Sequence, residues 1–381
     1  VETSILSADE VLTIRKETKS RINEAWESAF AEPAIKFNEQ RELNDVYAPF
    51  HTQITDPVST KEEVRLIDAI HNAMDLAMEK HDSLVLMGQD ISEYGGVFKV
   101  TEGFKEKFGA ERVRNTPLCE SAILGAAIGL SVKGRKSMVE MQFADFVSEG
   151  ITQITNNMAK MYWRWGQNVD CVVRMPTGAG VGAGPFHSQS NEAWFTKIPG
   201  LKVVYPAFPA DAKGLLLRSF EDPNPVLFFE HKALYRSLRQ EVPTGYYTLP
   251  IGKAAKIKEG NDLTIVTYGM GVHWALDALK NNPHIQADLI DLRTLLPLDE
   301  QAIIDSVNKT GKAIILHEDT MFNGIGGELA AIISEKCFQK LDAPVMRVAS
   351  MDTAVPFAAD LEKHFLANHR FENKLKELFE Y

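Results

Sequence analysis

From residue 60 onward, short apolar runs alternate with helical patterns, and this alternation limits the chain to few architectures. Ser83-Leu-Val-Leu-Met87, Ser137 to Gln142, Val169 to Arg174, Leu201 to Tyr205 and Pro225 to Glu230 read as buried strands. Helical patterns fall between them, at Leu66 to Ala77, Asp145 to Tyr162 and Pro209 to Ser219. Thr60-Lys-Glu-Glu63 has the form of a capping box opening the first of these. After a linker near Leu238 to Gly252 the alternation restarts. Strands are expected at Leu263 to Tyr268, Ala287 to Leu292, Ala313 to Glu318 and Val345 to Val348, with helices from Gly269 to Leu279 and Gly326 to Phe338. Alternation of this kind predicts an α/β class with mostly parallel sheets, in two domains at 61–245 and 246–381.

Residues 1–60 read differently. Ser7-Ala-Asp-Glu10 is a capping box, and Val11, Ile14, Ile22, Ala25, Trp26 and Ala29 form one apolar stripe on a helix that stops before Pro33. Pro33 to Pro57 lacks a period and reads as extended. A lone amphipathic helix with an extended tail cannot close a core, so this arm is expected to lie on the body of the chain or on another chain.

A net charge of -11 argues against a general binder of nucleic acid or anionic membranes. The three cysteines, Cys119, Cys171 and Cys337, have neither CxxC nor metal spacing, which fits a reducing compartment. No apolar run of about 18 residues and no signal-peptide pattern is present, so a soluble protein is expected.

Between Val113 and Leu130 the chain sets a single carboxylate, Glu120, after a Pro117 turn and ahead of an uncharged run from Ala122 to Leu130. Such a helix is expected to be buried, and its Gly and Ala residues permit close approach of a ligand or backbone. A carboxylic acid in that place can donate a hydrogen bond to a ring nitrogen; a plain helix-capping role remains open. The glycine-rich segment Gly178-Ala-Gly-Val-Gly-Ala-Gly184 fits neither GxGxxG nor the P-loop pattern. It reads as a loop that delivers His187, with Ser188, Gln189 and Ser190 beside it. A loop histidine of this kind is otherwise a surface residue.

These segments together resemble one family. The matching motifs are Gly95 to Gly103, Asn115-Thr-Pro-Leu-Cys-Glu120, Glu140-Met-Gln-Phe-Ala-Asp-Phe146, His187-Ser-Gln-Ser190, Pro199 to Val204, Phe228 to Tyr235 and Ile290 to Pro297. The chain resembles the β subunit of thiamine-diphosphate-dependent 2-oxo acid dehydrogenase E1 components over roughly residues 60–381. Thr116 to Glu120 and Gln142 to Phe146 are closest to the branched-chain (2-oxoisovalerate) type, with pyruvate enzymes as the alternative. The first sixty residues look like the end of the α subunit, as in a fused α–β polypeptide.

The resemblance implies two transketolase-like three-layer α/β/α domains, pyrimidine-binding and C-terminal, behind the arm. It implies decarboxylation of a 2-oxo acid and reductive acylation of a lipoyl group. Glu120 would hold the cofactor's aminopyrimidine ring, with Leu118, Phe143 and Gln89 around it. His187 would bind substrate or assist acyl transfer, and Gln142 and Phe146 would border the substrate, with Tyr235 near. Asp222 and Asn224 would ligate a structural potassium ion.

The implied partners are an α half, a second copy in an α2β2-like assembly, and the lipoylated E2 acyltransferase. The implied place is bacterial cytoplasm or mitochondrial matrix. Two departures stand out: Gln89 replaces a common glutamate, which removes a proton-transfer role, and no GDG segment with a following Asn is present. Magnesium and the pyrophosphate would therefore be held mainly by the α half. A transketolase-like sugar transferase would require a basic phosphate-binding cluster that the sequence does not show. A cofactor-free scaffold is the non-enzymatic alternative. The isolated chain is accordingly expected to bind thiamine diphosphate and magnesium weakly, and tight binding in a calorimetric titration would refute this.

Overall fold

A computed structural model describes residues 5–381, so the first four residues of the expected arm lie outside the described part. Up to Asn44 the described residues form one unit, and Asp45–Tyr381 form a second.

The first unit is a 24-residue helix, Ala8–Ala31, and a short helix, Glu39–Asn44. Ser7 and Glu10 make the reciprocal capping box: Glu10 N–H donates to Ser7 Oγ at 3.2 Å, and Ser7 N–H donates to Glu10 Oε2 at 2.7 Å. None of the long helix's side chains is buried, and Trp26 stacks on Phe30 at 6.5 Å. The second helix corrects the expectation of an extended tail. Asn38 accepts the Arg41 N–H at 3.0 Å, a local cap that substitutes for the missing apolar period.

Three sheets organise the second unit. A seven-stranded sheet runs Thr294–Leu296, Lys202–Val204, Val226–His231, Cys171–Thr177, Ser137–Glu140, Val85–Gly88, Val113–Asn115. All its pairings are parallel except that of Thr294–Leu296. A five-stranded sheet runs Met346–Ser350, Ala313–Thr320, Leu263–Thr267, Ala287–Asp291, Ala255–Lys258, with only the last strand antiparallel.

Period-2 alternation sorts strand residues to opposite faces. Leu86, Met138, Val172, Val226 and Phe228 pack under the helices Leu66–Lys80 and Pro209–Glu221. Met87, Val139, Val173 and Phe229 face a second core, which also takes Val266, Ile290 and Ile315 from the smaller sheet. Helices Met270–Asn281 and Asn368–Glu380 cover that sheet's far side.

Several local readings change. Lys61–Arg65 is a strand paired antiparallel with Arg239–Pro243, not the first turn of a helix, and the expected linker therefore contains a strand. The helix begins at Leu66, and Asp68 accepts the Arg65 N–H at 3.1 Å. Its partner strand is far away in sequence, so local pattern could not show the pairing. The expected helix from Asp145 to Tyr162 is broken into a 3-10 segment Ala144–Gly150, a π segment Gln153–Met158 and a short α-helix Met161–Trp165. Two observations accompany the break. A Cβ on Gly150 would lie 2.3 Å from Leu124, and the Thr155 hydroxyl donates to the Ile151 carbonyl at 2.8 Å. Helix Glu120–Val132 buries Ile123, Leu124 and Ala127 but exposes Ala122, Ala126, Gly129 and Val132, so it is only half covered.

Within the second unit, side chains hold the segment from Asp45 to Thr60. Asn224 accepts the Ala48 N–H at 2.7 Å and donates to the Ala48 carbonyl at 3.1 Å. Arg218 sits 4.1 Å from the Phe50 ring centre and donates to the Thr52 carbonyl at 2.8 Å.

Three adjacent strands are joined by a buried ion cluster. Arg174 donates to Glu140 at 2.6 Å and, with two nitrogens, to Glu230 at 2.7 and 2.6 Å. Tyr235 donates its hydroxyl to Glu230 at 2.6 Å. Arg174→Met would strand two carboxylates in the core. We expect a loss of about 3–5 kcal/mol in urea unfolding, against no more than about 1 kcal/mol for the exposed Lys107→Met. Equal, small losses for the two variants would show that the cluster is not tightly held.

Candidate active site

The larger sheet places a crevice where such folds bind ligands. From strand Val85–Gly88 the chain moves to one side, to Val113–Asn115; from Ser137–Glu140 it moves to the other, to Cys171–Thr177. Adjacent strands whose connections diverge leave a gap beyond their carboxyl ends. Gln89 directly follows the first strand, and Gln142 and Phe143 closely follow the second.

Glu120 opens the helix that returns from the edge strand, and it is 7% exposed. Gln89, also buried, donates Nε2–H to Glu120 Oε1 at 3.0 Å. This is Glu120's one side-chain hydrogen bond among the described residues. The Gln142 amide makes long contacts of 3.4 Å to the Gln89 carbonyl and to Asp90 Oδ2. Leu118 projects from the preceding turn, 80% exposed, beside the exposed Cys119.

Beside Gln142 an aromatic wall begins. Phe143 and Phe146 meet at 5.6 Å, and the His187 ring stands edge-on to both, at 4.8 and 5.4 Å. Phe98 extends the wall from Phe143 at 5.5 Å to Tyr235 at 5.2 Å. The edge-to-face arrangement suits the positive edge and negative face of such rings. His187 is thus half-buried among aromatics. The structure therefore forms two groupings, Glu120 with Gln89 and Phe143 with Phe146 and His187, and Gln142 adjoins both.

Asp222 and Asn224 stand apart from this crevice. Lys202 pairs with Asp222 Oδ2, Asp222 Oδ1 accepts from Asn224, and Asn224 Oδ1 accepts from Ala48. An ammonium group already neutralises the carboxylate, and these side-chain oxygens are taken up by protein donors. Side-chain oxygens of Asp222 and Asn224 thus already have protein partners at the place where the sequence suggested potassium ligands. Among the described residues no group of three or more His, Cys, Asp or Glu converges to hold a metal. None of the described helices is long and apolar enough to cross a membrane.

Comparison with known proteins places the chain in a family. Residues 62–237 match the family Transketolase, pyrimidine binding domain, and residues 252–370 match Transketolase, C-terminal domain. The 2-oxoisovalerate dehydrogenase subunit beta of Bacillus subtilis (strain 168) is 48% identical over 321 residues, 83% of this chain and 98% of the relative. The chain belongs to the β subunits of the 2-oxo acid dehydrogenase E1 family. Another E1 β relative, the pyruvate dehydrogenase E1 component subunit beta of Acholeplasma laidlawii, is 44% identical over 79% of this chain and 94% of its own length. Among solved structures, a chain titled split gene transketolase, inactive beta4 tetramer, superposes with a TM-score of 0.68 at 23% identity. It covers 83% of this chain and 98% of that one, a likeness of fold.

For this E1 β chain, sequence reasoning missed a cation at the aromatic wall. Lys232 is buried, its ammonium lies 5.6 Å from the Phe143 ring centre, and it donates to the Gly178 carbonyl at 2.8 Å. Burial pushes its pKa down to about 8, partly opposed by the carboxylates of Asp145, Glu318 and Glu362. The available signal was a lysine directly following a buried strand.

Because the folded pKa lies below the usual lysine value, the unfolded chain binds more protons between about pH 8 and 10.5. The lysine's contribution to stability therefore rises with pH across that window. Urea unfolding of the unmutated chain and Lys232→Met is expected to show a smaller rise, or a steeper fall, in the variant. Parallel stability curves would place Lys232 in a solvated setting.

Proposed function

We propose that this chain is the β half of an E1 component that decarboxylates a branched-chain 2-oxo acid and transfers the acyl group to a lipoyl group of E2. The observation that carries this reading is the buried Glu120, oriented by Gln89 at the topological switch point and followed along the crevice by the aromatic wall with His187. The residues suit thiamine diphosphate: a carboxyl group with one oxygen outside any hydrogen bond among the described residues, an exposed Leu118 and the face of Phe143. That cofactor, when bound, supplies the nucleophilic carbon that adds to a 2-oxo carbonyl and delocalises the charge left by decarboxylation.

The chain's own residues have separable tasks. With the cofactor bound, the Glu120 carboxyl group would hydrogen-bond the pyrimidine ring nitrogen, and Gln89 fixes the carboxyl rotamer without itself passing a proton. Leu118 and Phe143 would cover the ring and exclude water. His187, held between Phe143 and Phe146, binds the substrate or moves a proton during acyl transfer. Gln142 and Phe146 border the substrate.

The α half supplies the ligands of magnesium and the pyrophosphate. The exposed apolar face at Ala122, Ala126, Gly129 and Val132 supports the need for a covering partner in an α2β2-like assembly.

Pyruvate is the second reading, supported by the 44% identity to a pyruvate dehydrogenase β subunit. One methylene in an apolar pocket discriminates by only about 1–3 kcal/mol, so the two substrates need direct comparison. The chain, assembled with its α half, thiamine diphosphate and magnesium, is expected to reduce an artificial electron acceptor faster with 3-methyl-2-oxobutanoate than with pyruvate. Glu120→Gln should lower kcat by about a hundred- to ten-thousand-fold. Faster turnover of pyruvate would reassign the substrate. Unchanged turnover in Glu120→Gln would overturn the role of the carboxyl group, and no turnover with either acid would favour transketolase-like chemistry or a scaffold.

A further inference from the structure

The loop that carries His187 is closed at its base and soft in its middle. At the base, Gly178 N–H donates to the Gln189 carbonyl at 3.4 Å, and the Thr177 hydroxyl donates to the same oxygen at 2.8 Å. In the middle, Gly180 and Gly182 have φ of +83° and +69°. Side chains rarely adopt these values, so the loop has little stiffness of its own.

The stiffness comes from the second half of the chain. Glu362, on helix Ala359–Phe365, accepts the Gly180 N–H at 2.9 Å and the Gly182 N–H at 3.1 Å, the latter shared with its other oxygen at 3.3 Å. Successive N–H groups turned to one side form a concave nest for an anion. Here the protein's own carboxylate, 6% exposed, fills it. Glu318 accepts the Ala179 N–H at 2.6 Å, and Ala179 packs with Val355 and Phe365. Phe357 lies where a Cβ on Gly184 would be, 2.3 Å from its ring. His187 follows three residues later, and its N–H donates to the Gly184 carbonyl at 3.4 Å.

We propose that Glu362 is a positioning residue for His187: its carboxylate, seated in the glycine-loop nest, fixes where the imidazole stands against Phe143 and Phe146. This rests on the functional reading above for the part His187 plays in turnover. Glu362 is the informative anchor because the hydrogen bonds of its carboxylate go to the loop alone. Glu318 is a less clean probe, since it also pairs with His231 at 2.7 Å. Loss of Glu362 therefore loosens a segment without removing a strand, a helix or a core side chain.

The test uses the assembled E1 with Glu362→Ala, Glu362→Gln and the double variant Glu362→Ala/His187→Ala. Amide exchange at Ala179, Gly180 and Gly182 and the imidazole NMR signals of His187 report the loop without turnover. Kinetics with the artificial acceptor and with a lipoyl domain report the consequence. In Glu362→Ala we expect these amides to exchange faster, the His187 signals to shift, and kcat to fall about tenfold or more, the scale of a misplaced reacting group. KM and the thermal midpoint should change little. Glu362→Gln, which keeps the size and one acceptor oxygen, should recover part of the loss. It carries the comparison alone if the alanine variant does not assemble. On the His187→Ala background, Glu362→Ala should add less than about twofold, because groups acting as a unit are not additive.

Additive losses, unchanged loop exchange, or fast exchange with unchanged kcat would each overturn the proposal. An unmutated assembly that turns over no 2-oxo acid would defeat the functional reading, and the proposed positioning role with it, while the exchange and imidazole signals still decide whether Glu362 orders the loop.

Discussion

Arg174 is the group on which the crevice depends. It lies in the middle of three neighbouring parallel strands and is fully buried, with Glu140 on one side and Glu230 on the other. Burial alone would drive an ion to its neutral form. Here the two carboxylates raise the guanidinium above even its usual range, while burial raises Glu140 against the pull of Arg174. A planar fork matches carboxylates in paired geometry, which a lysine cannot do. The cluster holds the ends of the strands that lead into Gln142 and Phe143 and into Lys232 and Tyr235.

Around that base, the site is assembled from loops, each restrained by a different part of the chain. Glu120 comes from a helix start, Gln89 from a strand end, His187 from a glycine loop. The glycine loop is bound by Glu318 and Glu362, which belong to the second half of the sequence. A buried acidic group adjoins this junction. Glu192 is pushed up by burial and by the neighbouring Asp319, and Tyr268 donates to it at 2.7 Å. The second half therefore does more than add a layer: it sets the conformation of a loop in the first half's crevice. The segment after Asn44 is likewise fixed by side chains, through Asn224 and Arg218.

Much of this was legible from the residues in order. Alternating apolar runs gave the parallel strands and their class, because period and length distinguish a buried strand from an amphipathic helix. Ser7 with Glu10 predicted the first helix start, a contact of three residues' span. Thr60 to Glu63 carried the same pattern and instead leads into the strand Lys61–Arg65, since pairing with Arg239–Pro243 outweighs a local cap. The Asp145 to Tyr162 helix was read as continuous because neither the close approach of Gly150 to Leu124 nor the change of helical turn is encoded locally.

The sequence by itself determined the α/β class and the family, and it named the candidates for the site: Glu120, Gln142, Phe143, Phe146 and His187 stand in motifs that can be read without coordinates, and Gln89 stands out as a departure from one. Motifs persist in order along the chain because chemistry fixes residue type and near-neighbour spacing. Only the tertiary structure decided which of these residues touch. It placed the Gln89 amide on Glu120, sandwiched Arg174 between two carboxylates, added Lys232 to the aromatic wall and tied the His187 loop to Glu362. It also paired Asp222 with Lys202. Each of these contacts joins residues far apart in sequence. Their strength depends on burial and distance, two quantities that exist only once the chain has closed on itself.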